Sequence, residues 1–210
     1  MFFKDRVDAG KKLSQLLVKY KNVENCMILG LPRGGVVVAY EIAKNLNLPL
    51  DVIVVKKLGA PFNEELAIGA IAEEGTVFLN EKLINEFDIS KEYIDQIKGV
   101  KQKEVERRVQ LFRGESLDLE NKIAIIVDDG IATGATVLAA IKCAKDKRAK
   151  KVVVAMPVLP SEFVSQLNKL ADEVVYLFAP QYFAAVGDFY ESFIQVEDEE
   201  VLNLIRRSKN

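Results

Sequence analysis

The densest chemistry in the chain lies in the segment Ile125-Ile126-Val127-Asp128-Asp129-Gly130-Ile131-Ala132-Thr133-Gly134-Ala135-Thr136. Two acids end an apolar run, a place where a carboxylate is costly unless it binds something. Small residues and two hydroxyls, Thr133 and Thr136, then lead into a helix start. Successive backbone N–H groups at such a turn form an anion cradle, and the helix dipole favours negative charge there. Carboxylates for hydroxyls or a metal, beside a cradle for a phosphate, describe a sugar-phosphate site. The plainer alternative is a strand–turn–helix with a solvated acid pair.

A second pattern, Gly30-Leu31-Pro32-Arg33-Gly34-Gly35, follows another apolar run. One guanidinium among glycines that admit close backbone approach suits a diphosphate, and an ordinary turn into a helix is the alternative. Lys56 and Lys57 follow the run DVIVV. They can bind an anion or simply snorkel at the surface. Glu64 and Glu65 lie further on and read equally well as solvated charges. The stretch 179–193, APQYFAAVGDFYESF, is unusually aromatic. Phe183, with Tyr182 behind it, is the best candidate to stack on a flat heterocycle, against the alternative that these rings pack a cap onto the core.

These groups need elements to position them. Asp5 is a plausible N-cap for a helix that puts Val7, Leu13, Leu16, Leu17 and Tyr20 on one face. CMILGL, DVIVV, KIAIIV, KKVVVAMPVL and EVVYLF read as five core strands alternating with helices, the last helix starting near Asp198. Nearly continuous β-branched runs in that alternation predict a parallel sheet covered on both faces. Ligands then bind beyond the C-terminal strand ends, where both patterns sit. ELAIGAIA and TVFLN read as a hairpin, and residues 81–113 as one charged helical stretch with Ser90 as an N-cap. The 59–120 stretch reads as an insertion over the ligand edge, with 59–80 as a mobile lid.

Composition narrows the chemistry. The chain has 210 residues and no histidine, which excludes histidine bases and histidine metal ligands. Cys26 and Cys143 alone cannot build a zinc site or a disulfide framework, and read as buried small residues. The net charge of −2 disfavours nucleic acid as the main partner. Lys4, Asp5, Arg6 and Asp8 interrupt any apolar leader, and no run reaches the roughly 20 residues of a membrane span. A cytoplasmic protein with no membrane partner is expected. Nothing matches GxxxxGK[ST], and LGLPRGG fails the GxGxxG spacing.

VDDGIATGAT resembles the signature of the type I phosphoribosyltransferases for 5-phosphoribosyl 1-diphosphate (PRPP), and GLPRGG resembles their diphosphate loop. The whole sequence resembles a bacterial group of that family whose acceptor is undefined. The resemblance implies an α/β fold with a central parallel sheet flanked by helices, a flexible insertion, and a hood from the N-terminus and 179–210. The core would span about 25–60 and 120–180 of a single domain, 1–210. It implies a Mg²⁺-dependent transfer of the phosphoribosyl group to a nitrogenous base, within nucleotide metabolism and base salvage, by a homodimer.

By the same resemblance, Asp128 and Asp129 hold the ribose hydroxyls, directly or through Mg²⁺, and share the catalytic role with Arg33. Ala132, Thr133, Gly134, Ala135 and Thr136 hold the 5′-phosphate. Pro32, Arg33, Gly34, Gly35, Lys56 and Lys57 hold the diphosphate, and Phe183 and Tyr182 the base. The Pro32–Arg33 peptide is expected to be cis. Two departures bear on the acceptor. Ala132 stands where the 6-oxopurine enzymes carry an acid, and Met156-Pro157-Val158-Leu159 lacks their lysine. A PRPP-binding regulatory module without turnover, and a ribose-phosphate hydrolase or phosphorylase, are the competing readings.

Overall fold

The computed structural model describes residues 2–209. Its strands are β1 (Cys26–Gly30), β2 (Leu50–Val52), β3 (Val55–Ala60), β4 (Asn63–Ala72), β5 (Val77–Leu79), β6 (Ile123–Val127), β7 (Lys151–Val158) and β8 (Glu173–Phe178). Its α-helices are α1 (Arg6–Leu16), α2 (Gly34–Leu46), α3 (Glu81–Glu86), α4 (Lys91–Phe112), α5 (Ala135–Asp146), α6 (Ser161–Leu170) and α7 (Asp198–Ser208). Five strands form a parallel sheet in the order β2-β1-β6-β7-β8, and the other three form an antiparallel sheet, β3-β4-β5.

Side-chain alternation explains why the core strands read as unbroken apolar runs. Ile28, Ile125, Val127 and Val153 face Leu13 of α1, Leu17 just after it, and Val38, Ile42 and Leu46 of α2. The alternate residues Leu29, Ala124, Ile126 and Val154 face Val137, Leu138 and Ile141 of α5 and Leu167 of α6. With helices on both faces, neither set can be polar. Gly30 pairs with Val52 on one side and with Val127 on the other. The loops leaving β1 and β6 therefore emerge side by side, at the point where the strand order reverses.

Two expectations change. DVIVV does not form one strand: β2 ends at Val52, and the chain crosses through buried Ile53 and Val54 into β3, which belongs to the antiparallel sheet. An apolar run looks the same whether it stays in one buried sheet or passes into another. Residues 81–113 form two helices, because Asp88 takes a left-handed backbone (φ 48°) and Ile89 is buried in the break. Ser90 does cap α4, accepting from the Tyr93 N–H at 3.2 Å. The 59–80 stretch is mostly regular sheet. The expected hairpin forms between β4 and β5, and β4 also pairs with β3. Ala67, Ala70 and Ala72 of β4 are buried in the cluster that includes α5, and the exposed residues are Pro61–Glu65 at the tip between β3 and β4 and Glu74 and Gly75 at the turn before β5.

A buried ion pair ties this insertion to the core. Arg113, at the C-terminus of α4, donates to Glu73 Oε2 and, at 2.9 Å, to the Val52 carbonyl, while Glu73 Oε1 accepts from the Val54 N–H at 2.9 Å. Both side chains are 3% exposed, so each charge depends on its partner. At the other end of the chain, Phe3 bridges to Tyr190 and packs with Ala9 and Val158, building the small hood from the N-terminal segment and the stretch after β8.

Candidate functional site

A cleft opens above the adjoining ends of β1 and β6. It has two chambers, of about 320 and 380 Å³, which share Lys57, Asp128 and Thr136 in their walls. A further cavity of about 360 Å³ lies at the opposite edge of the sheet, between the C-terminal ends of α2 and α7, and no carboxylate lines it.

The first chamber contains the acid pair and the turn that follows it. Asp128 and Asp129 leave β6 directly, and Asp128 Oδ1 accepts from the Asp129 N–H at 2.9 Å. Burial, and then the neighbouring charge of Asp129, push the Asp128 carboxyl well above the usual carboxylate range. Asp129 is compensated: its Oδ2 accepts from Arg6 Nε at 2.7 Å, and its carbonyl accepts from the Tyr190 hydroxyl at 2.6 Å. Burial raises the Tyr190 pKa, so that hydroxyl stays a donor.

Ala132 and Thr133 are exposed on the turn, and α5 begins at Ala135. Gly134 precedes it at φ 75°, with no side-chain cap on the helix. The first N–H groups of α5 lack intrahelical partners and carry the positive end of its dipole. A Cβ on Gly134 would come within 2.5 Å of the Phe163 ring, so this turn needs glycine for both its backbone and its space.

The loop after β1 closes against this acid pair. A Cβ on Gly35 would lie 2.7 Å from Asp128 Cα, and one on Gly34 would meet Asp129 Oδ2 at 2.0 Å. The two glycines are what let the loops approach. The Pro32–Arg33 peptide is cis, as the family resemblance implies. Pro32 lines the second chamber, whereas the Arg33 guanidinium is engaged by Glu197 at 3.0 Å. Lys57 lines both chambers and makes no ion pair among the described residues, and Lys56 pairs with Glu104 at 3.2 Å. Glu64 and Glu65, on the exposed hairpin tip, reach the second chamber.

The structure brings together the acids, the turn and the lysines, but the aromatic candidates lie elsewhere. Tyr182 is 93% exposed. Phe183 stacks on Phe189, with centroids 5.1 Å apart and planes at 25°, among the hood's own rings. The aromatic residue in the chamber wall is Phe193, with Val186 beside it. Arg6 lies over the Phe193 ring at 3.7 Å and also donates to the Ile194 carbonyl at 2.7 Å. It thereby joins α1, the hood and the acid pair. Reading the sequence missed Arg6. Its signal was a cation in the first turn of a helix, which the dipole disfavours unless an anion lies close by.

Among the described residues, no cluster of three metal-ligating side chains exists. A divalent ion in this cleft would therefore be held by Asp128 and Asp129 together with oxygens of a bound ligand or water. Oxygen donors of that kind suit Mg²⁺, and a cation would relieve the raised Asp128 carboxyl.

Comparison with known proteins agrees with this geometry. Residues 3–185 match the family model of the phosphoribosyl transferase domain. A Mycobacterium tuberculosis protein, Rv0571c, provisionally named a phosphoribosyl transferase, is 45% identical over 208 residues, covering 98% of this chain and 47% of that protein. The chain thus spans about half the length of the curated relatives it matches. The crystal structure of TT1426 from Thermus thermophilus is 38% identical, covers 99% of both chains and superposes with a TM-score of 0.81. A hypoxanthine-guanine phosphoribosyltransferase from Bacillus anthracis, 11% identical, shares the fold with a TM-score of 0.51 over 87% of this chain and 84% of its own. No helix among the described residues is long and apolar enough to cross a membrane.

Proposed function

Because the chain belongs to the phosphoribosyl transferase domain family, we propose that it moves the 5-phosphoribosyl group of PRPP to a ring nitrogen of a small heterocyclic base and releases diphosphate. The observation that carries this reading is the joint opening of the Asp128–Asp129 pair and the uncapped start of α5 on one chamber. In it, the N–H groups and hydroxyls of 132–136 receive the 5′-phosphate, and the carboxylates receive the ribose 2′- and 3′-hydroxyls. The loop 32–35 and Lys56 and Lys57 face the diphosphate.

The reaction breaks the bond from the ribose anomeric carbon to diphosphate and forms one to the base nitrogen. Positive charge develops on the ribose and negative charge on the leaving group. The acids face the first and the lysines the second, as groups preorganised toward developing charge. Mg²⁺, when bound with PRPP, would add charge neutralisation of the leaving diphosphate. The Arg6–Phe193 pair forms the hood side of the chamber and is where the base would lie.

Diphosphate release from PRPP, followed with a panel of purine, pyrimidine and smaller heterocyclic bases, tests the reading. Base-dependent release is expected. Release without a base would mark a hydrolase, and PRPP binding without release a regulatory module. PRPP affinity unchanged in a double Asp128→Asn, Asp129→Asn variant would overturn the assignment of the site.

A further inference from the structure

We propose that helix α4 supplies two ligands, Arg108 and Lys101, for the diphosphate end of the donor, making the chamber under the insertion the leaving-group compartment. This rests on the reading of the cleft given above. It adds residues that belong to neither strand-end loop.

The first argument is placement. The second chamber is walled on one side by Pro32 and Asp128 and on the other by Lys56 and Lys57 of β3 and Lys101 and Arg108 of α4. A group bound against the 32–35 loop thus faces four cationic side chains from the insertion. The second argument is charge. Lys56 and Lys101 converge on one carboxylate, Glu104, at 3.2 and 2.8 Å. Two ammonium groups share a single counter-charge, and Lys57 has no ion pair among the described residues. The surplus borders a cavity whose nearest other acids from the insertion, Glu64 and Glu65, lie on the exposed hairpin tip.

The third argument is Arg108 itself. Its side chain is 14% exposed, and its Nε is buried with no hydrogen-bond partner. Its other end lies 3.3 Å from Asp198 Oδ1, the same oxygen that Arg33 approaches at 4.0 Å. The loop arginine and the helix arginine therefore already converge on one anionic oxygen at the start of α7. A planar guanidinium bordering a polar cavity, held at one end by a single carboxylate oxygen, is suited to a phosphate oxygen. A diphosphate carries several negative charges, and the loop by itself offers one cation.

Calorimetric titration of inorganic diphosphate with Mg²⁺, of PRPP and of ribose 5-phosphate tests this on wild type, Lys101→Gln, Arg108→Gln and Asp128→Asn. Each α4 substitution is expected to weaken diphosphate and PRPP about tenfold or more, the loss of a charge-assisted hydrogen bond, while ribose 5-phosphate binds as in wild type. Folded variants that bind diphosphate and PRPP like wild type, while Asp128→Asn does not bind PRPP, would overturn the inference and leave the reading of the site intact. Wild type that binds ribose 5-phosphate but not diphosphate would also overturn it. Wild type that binds none of the three would remove the reading of the site and this inference together. Should Arg108→Gln fail to fold, Lys101→Gln decides, because Lys101 is partly exposed and its one ion pair among the described residues is with Glu104.

Discussion

The two chambers of the cleft are built by different means. The first is made by backbone and acids at the ends of β1 and β6, where two glycines bring the loops so close that any side chain would collide with Asp128 or Asp129. The second is made by long cationic side chains on β3 and α4, elements joined to the parallel sheet through the crossing at Ile53–Val54 and the Glu73–Arg113 pair. One offers a ligand fixed N–H groups and shape, the other charge on flexible stems. Substitutions in the first should therefore change what binds at all. Those in the second should change how strongly the charged end is held.

The largest expected effect lies in the first chamber. Asp128→Asn should lower kcat/KM for PRPP by about 100- to 1,000-fold, the scale seen when a preorganised group facing developing charge is removed. The same substitution should stabilise the unliganded protein at neutral pH. The Asp128 carboxyl is raised by burial and by Asp129. Its contribution to stability is therefore present at acid pH and is lost as pH rises through the raised value. Asparagine carries no such dependence. Thermal melts should put the variant above wild type at pH 7–8 and bring the two together below the ordinary carboxylate range. A variant less stable than wild type at neutral pH would mean that Asp128 supports the fold rather than the ligand.

Glu73→Gln probes the other side. It leaves the buried Arg113 charge with only the longer contact to Asp51 at 3.4 Å as its counter-ion, so the cost should approach the roughly 3–5 kcal/mol of a broken buried pair without exceeding it. The denaturant midpoint should fall accordingly. Ribose 5-phosphate should still bind to the folded fraction, since neither strand-end loop is touched. Equal loss of ribose 5-phosphate affinity per folded molecule would show that the two chambers are not separable. Gly134→Ala is the matching break in the first chamber. It combines a left-handed backbone with a Cβ pressed on Phe163, at about 1–3 kcal/mol of strain, and should weaken 5′-phosphate binding while leaving diphosphate titrations unchanged.

The same contrast governs what could be read in the sequence. The parallel core was legible because strands buried on both faces write unbroken apolar runs. The acid pair and the Gly34–Gly35 loop were legible because their residue types are costly or permissive for reasons that do not depend on the rest of the chain. The insertion was legible only in part: its hairpin and the Ser90 cap were, but its separate sheet was not. DVIVV continues smoothly into Lys56 and Lys57, so nothing local marks that the chain leaves one sheet for another at Ile53–Val54. Lys101 and Arg108 sit in a helix so highly charged that no single cation stands out. Arg6 and Phe193 are 187 positions apart, and only the closing of the hood makes them neighbours.

The smallest expected effect concerns the hood, where sequence and structure favour different rings. The density of aromatics points to Phe183, yet that ring is stacked on Phe189 and lies outside the chamber wall, where Phe193 lies under Arg6. Phe193→Ala removes the platform that orients the guanidinium, an interaction worth about 0.5–2 kcal/mol. Its result should be a several-fold rise in KM for the acceptor with a nearly unchanged melting temperature, because Phe193 is already 38% exposed. Phe183→Ala removes an aromatic pair worth about 0.5–1.5 kcal/mol beyond its buried area. It should lower the melting temperature by a few degrees and leave KM for the acceptor where it was. Kinetics and a melt on both variants compare the rings directly. If Phe183→Ala raises the acceptor KM while Phe193→Ala does not, the base lies deeper in the hood than the chamber drawn here. The side chains after β8 would then have to rearrange when the acceptor binds.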